Sequence, residues 1–134
     1  MWKNKFQFFS AAQQRYSYLQ PVIDADFDVQ VVAGKDLENY IKYYKDITMF
    51  SHTSLLYGAY FKDIIDDVRY RTAENEKRLQ EVRKYGRDIV PWVLKYITKQ
   101  FGGSVALFTS SSTEHLKDNM KYFLWFCILK KING

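Results

Sequence analysis

The residues that could do chemistry in this chain are few, and the carboxylates come first. Asp24, Asp26 and Asp28 alternate as the opening of an EF-hand loop does, which would offer oxygen ligands to calcium. Val29 stands where that loop needs Gly and Lys35 where it needs a bidentate Glu, so the triplet reads instead as the solvated face of a strand. Asp63, Asp66 and Asp67 have the i, i+3, i+4 spacing that places them together on a helix, where a cation or a basic partner could bridge them. Lys62, Arg69, Tyr70 and Arg71 lie close enough to neutralise them, and a surface charge network is the expectation.

Nucleophilic or general-base chemistry would fall to His52, His115 or Cys127. His52 lies in the connection Ser51-His52-Thr53-Ser54, and His115 opens a helix beside Glu114. Cys127, the single cysteine, is set in an apolar run whose burial disfavours a thiolate. It can form no intrachain disulfide, and the glycines make neither a P-loop nor a dinucleotide fingerprint. The expectation is a protein that is not an enzyme and holds no metal or cofactor.

Binding chemistry is better represented. Arg69-Tyr70-Arg71, Lys77-Arg78, Arg83-Lys84-Tyr85 and Arg87 combine cations with rings that could stack on unpaired bases. Glu74, Glu76, Glu81 and Asp88 share the stretch, and balanced charge is the usual look of a solvated helix. Further on, Tyr122 to Leu129 is unbroken apolar, flanked by Lys121 and Lys130-Lys131. That run is far short of the roughly 20 residues of a membrane span, so no transmembrane helix is expected. It must still leave water, into the core, against a partner, or at a membrane surface through residues 121–131 with Trp125 and Phe126 as anchors.

The elements that would position these groups are mostly helical. Strict alternation from Asp24 to Val31 predicts a half-buried strand, with Val105 to Thr109 as its candidate partner. Lys35 to about Phe50 reads as a helix with Leu37, Tyr40, Ile41, Tyr44 and Ile47 on one face. Phe61, Ile65, Val68, Thr72, Asn75, Leu79 and Val82 follow a coiled-coil spacing with a polar middle. A single helix over 54–85 would be roughly 48 Å long, longer than a domain with a radius of gyration of about 14 Å is wide. Trp92, Val93, Tyr96, Ile97 and Phe101 mark a third apolar stripe, ended by Gly102-Gly103. Ser111-Ser112-Thr113-Glu114 fits a capping box that starts a last helix.

Length and charge bound the rest. The chain has 134 residues, enough for one domain, and 18% of them are aromatic, more rings than so small a core can fully bury. Its formal net charge is +5. Lys3, Lys5 and Arg15 are the only charges in residues 1–23, whereas Asp24, Asp26, Asp28, Asp36 and Glu38 face only Lys35 in residues 24–40. The acid-free start has the composition of an organellar transit segment, or of an ordinary basic arm. It lacks the apolar core of a secretory signal, so an intracellular and first of all mitochondrial location is expected, not secretion.

Together these readings predict a mainly α fold of about four helices, one of them long and partly exposed, with an extended arm and a minor two-stranded β element. The arm would be 1–33, basic in 1–23 and acidic and alternating in 24–31, and the helical domain 34–134. The expected role is a non-catalytic accessory subunit or interaction module in a multiprotein assembly, first of all a mitochondrial complex. Trp92, Trp125, Phe126, Arg69, Arg71, Arg83 and Lys84 would contact its partners. The alternative is a nucleic-acid-binding module using residues 69–87.

Overall fold

The computed structural model describes residues 10–28 and 30–120. Its centre is a three-stranded sheet in the order β1-β2-β3, formed by Ala11–Arg15 (β1), Thr48–His52 (β2) and Ser104–Ala106 (β3). Every pairing is parallel: Ala11 is opposite Thr48 and Arg15 opposite His52, while Met49 is opposite Ser104. Parallel neighbours need long crossovers, and helices supply them. Lys35–Tyr43 (α1) connects β1 to β2, and Ala73–Arg83 (α2) and Ile89–Thr98 (α3) connect β2 to β3. Helix resumes at residues 113–120. The expectation of a mainly α fold with a two-stranded element is therefore corrected to mixed α/β with a three-stranded parallel sheet.

Each correction has a local cause. The helix expected to run to about Phe50 stops at Tyr43, because Met49 and Ser51 are fully buried on alternate positions and take up a strand's period. Among the described residues of 24–31 no strand forms. The Asp26 carboxylate accepts the Asp28 amide at 2.9 Å, and Asp28 adopts φ 56°, a local bond that competes with a ladder. The strand partner of the 105–109 region is β2, with Val105 opposite Phe50.

The single long helix over 54–85 is also corrected, to three pieces. Leu56, Tyr57 and Gly58 have φ of 46°, 53° and 81°, so the first piece is a kinked 3-10 segment, Leu56–Phe61. A second short turn covers Val68–Tyr70. Thr72 then turns extended and caps α2 by accepting the Asn75 amide at 3.1 Å. Of the expected seam, Ile65, Asn75, Leu79 and Val82 are buried, whereas Phe61 and Val68 are exposed.

Two clusters make the core. The larger joins Tyr18, Leu19, Tyr60 and Tyr70 to Leu79 and Val82 of α2 and Val93 and Ile97 of α3. The smaller joins Ile41 of α1 to Ile47, Met49 and Ala33, with Phe101 edge-on to Tyr16 at 5.0 Å. Residues 15–19, expected to be part of an arm, thus run through the centre of the fold. Helix α1 starts as read, at Lys35, with Lys42 and Lys35 flanking Glu38 and holding its carboxyl down to about 2. The last helix starts one residue later than read, for the Ser112 hydroxyl accepts the His115 amide.

Candidate functional site

The carboxyl ends of parallel strands are where open α/β sheets place their ligands. Arg15 and His52 end β1 and β2 and lie opposite one another in register. The Arg15 backbone also bonds outward: its amide donates to Val31 and its carbonyl accepts from Ala33. Held on both edges, this residue points a guanidinium into the interior, where it is only 5% exposed. Nε donates to the Tyr70 hydroxyl at 2.9 Å and Nη1 to Gln30 Oε1 at 2.8 Å, and the Phe27 ring lies 4.3 Å away.

Asp67 is the nearest carboxylate, yet it serves a different cation. Arg69 Nε and Nη2 reach its two oxygens at 2.9 and 2.8 Å and the Arg69 amide adds a bond of 3.0 Å, whereas Arg15 Nη2 stays 4.0 Å away. The hydrogen bonds from Arg69 hold the Asp67 carboxyl below its ordinary range, and Asp67 in turn raises Arg69. Burial lowers the His52 imidazole, with Arg15 adding to the effect, while Nδ1 sits 2.9 Å from the Thr53 hydroxyl. Burial likewise raises the Tyr70 phenol, although the Arg15 bond opposes it.

Beside Arg15 lies a cavity of about 200 Å³. Leu56, Ala59, Ile65 and Tyr70 give it apolar walls, and Arg15 and Asp67 line it as well. Tyr57, 81% exposed, belongs to the same lining, and so do Lys62 and Asp66, which form an ion pair with each other.

A second surface lies on α3 and the turn before it. The rings of Tyr85, Trp92 and Tyr96 form a stacked ladder, with centroids 5.2 Å apart for the first pair and 5.8 Å for the second and interplanar angles of 18° and 16°. Tyr18 braces the ladder from the core, edge-on to Trp92 at 5.0 Å and to Tyr96 at 4.9 Å. Lys95, Lys99 and Asp88 border the ladder, around a groove of about 470 Å³. The Lys84 ammonium lies 5.5 Å from the Tyr85 ring.

The residues singled out from the sequence are scattered among different tasks. Trp92 is half-buried in the ladder, with Lys84 at its end. Arg69 donates to the Asp26 carbonyl at 2.5 Å, Arg71 to those of Ile65 and Asp66 at 2.7 and 3.2 Å, and Arg83 to that of Lys62 at 2.6 Å. These three cations tie loops of the chain to one another. Trp125 and Phe126, with the whole run 121–131, lie outside the described residues. Among the described residues no three His, Cys, Asp or Glu side chains gather to hold a metal ion, and no helix is long and apolar enough to cross a membrane.

Sequence reasoning missed Arg15, Phe27 and Gln30 as a centre and Tyr85 as part of a ladder. The signal available for Arg15 was its isolation, a lone cation between Gln13-Gln14 and Tyr16-Ser17-Tyr18. Nothing in the sequence places it beside Asp67 and Tyr70. The chain matches no protein-family model, no curated protein and no solved structure.

Proposed function

We propose that this protein is a non-catalytic interaction module, an accessory subunit that docks an acidic surface of a partner protein through the ladder on α3. The observation that carries the reading is the stack of Tyr85, Trp92 and Tyr96 beside Lys95 and Lys99. Aromatic side chains held rigid by packing are the usual anchors of protein interfaces, and a lysine border favours a partner of opposite charge. Trp92 is supported from beneath by Tyr18, so it meets a partner in one orientation and loses little freedom on binding.

The nucleic-acid alternative draws on the same rings and lysines, since bases stack on such platforms. It draws less on Arg69, Arg71 and Arg83, whose guanidinium groups already bond to carbonyls of the chain itself. A mitochondrial assembly stays the first to examine. Native-gel migration of the tagged protein, with mass spectrometry of what travels with it, tests the reading. Migration in a large complex that Trp92→Ala and Lys99→Glu both release supports it. Migration of wild type and variants alone at the size of one chain rejects it, and steeply salt-dependent binding of single-stranded nucleic acid would favour the alternative.

A further inference from the structure

The cavity beside Arg15 has the chemistry of a built site, independent of the ladder. A guanidinium carries five N–H donors. Among the described residues Arg15 uses one on Tyr70 and one on Gln30, and Asp67 at 4.0 Å is beyond hydrogen-bond reach. Nη2 donates to none of the described residues, so it is open to an acceptor that enters the cavity. Charge points the same way. Asp66 is matched by Lys62, while Asp67 is shared between Arg69 at 2.8 Å and Arg15 at 4.0 Å, so the two guanidinium groups exceed that one carboxylate by a single positive charge.

The remaining walls select the body of the ligand. Leu56, Ala59 and Ile65 offer no hydrogen bonds, and a volume of about 200 Å³ suits a small apolar group. An engineered cavity of about 150 Å³ takes benzene, so the scale is a single ring or a short acyl chain. One wall is strained as well: Leu56 and Tyr57 are held at φ 46° and 53°, a conformation that costs a side-chain-bearing residue energy and that folds keep where it serves a site.

We propose that this cavity binds a small organic monoanion, an apolar carboxylate of one ring or a short chain, whose head group takes the Nη2 N–H groups of Arg15. A doubly charged phosphate fits less well, since it would exceed the single unanswered charge and bring no apolar body to the walls.

Benzoate is the probe, with benzyl alcohol as its neutral counterpart and inorganic phosphate as the polar control, each titrated into the full chain. The Arg15 Nε–H resonance and the thermal midpoint are the readouts. Benzoate is expected to shift that resonance saturably, to raise the midpoint, and to bind at least about tenfold more tightly than benzyl alcohol, as charge-assisted hydrogen bonds should. Arg15→Lys should erase the preference for the anion. Ala59→Leu, which fills the cavity and leaves Arg15 in place, should abolish binding even if the arginine variant does not fold. Equal binding of benzoate and benzyl alcohol, a response to phosphate alone, or an Arg15 resonance unmoved by benzoate would each overturn the proposal.

Discussion

Arg15 stands 4.3 Å from the centre of the Phe27 ring, and this buried contact joins the end of β1 to a segment that forms no strand. The same ring receives a second guanidinium, that of Arg69, at 3.9 Å. A ring in contact with two cations is worth more than its area, because each adds an electrostatic attraction to the quadrupole. Phe27→Ala is therefore expected to cost about 3–5 kcal/mol in chemical denaturation. Phe27→Leu, which keeps most of the volume and loses the quadrupole, should cost less but more than a volume-conserving exchange elsewhere in the core.

Asn75 fastens two distant segments. Its side chain accepts the Gln20 amide at 3.1 Å and donates to the carbonyls of Gln20 and Tyr70 at 2.7 and 2.8 Å, from a position 1% exposed. Asn75→Ala strands these groups and should lower stability by about 2–4 kcal/mol. Asn75→Asp keeps the acceptor but turns a carboxylate toward two carbonyls, so its loss of unfolding free energy relative to wild type should be larger at pH 7 than at pH 4. Equal values at both would show that the carboxylate escapes to water.

Acid should weaken the fold in two windows. His52 is lowered from 6.5 by burial and then by Arg15, so below 6.5 the unfolded chain takes up a proton that the native one resists. Its contribution is complete above that value and declines as pH falls toward the native one. Asp67, lowered from 3.8 chiefly by Arg69, contributes above 3.8 and loses that contribution as pH falls through its folded value. Denaturation midpoints measured between pH 8 and 3 should show both declines, and His52→Gln should remove only the first.

Backbone strain predicts a fourth result. Gly58 sits at φ 81° with open space where a Cβ would stand, so Gly58→Ala tests conformation without crowding. A loss of about 1 kcal/mol is expected, the ordinary cost of a left-handed residue that has a side chain. No loss at all would mean that the turn rearranges freely.

What the sequence made legible follows from the range of the forces involved. Helix α1 starts after Gly34 and α3 buries Val93 and Ile97, because their apolar spacing is a local property. Strand β1, Ala11-Ala12-Gln13-Gln14-Arg15, contains no β-branched or aromatic residue, and it is extended because β2 lies beside it. Thr48–His52 alternates in burial but not in residue type, since Met49 and Phe50 are adjacent apolar residues, and Ile47 and Tyr44 continue a helical period into it. The site suffered most. Arg15, Phe27, Asp67 and Tyr70 meet through tertiary contacts alone, whereas the clustered arginines that look like a binding patch are taken up in tying loops together.

The sheet also sets an order of events during synthesis. Strand β2 emerges with β1 already made but with β3 still to come, because Met49 must wait for Ser104. Until the ribosome has released that short last strand, one edge of β2 presents unpaired amides and carbonyls to whatever is near. A nascent chain stalled before residue 104 would therefore be the species most prone to pair with a second copy and the one a chaperone would hold longest, and Val105 would be the residue whose arrival closes the edge.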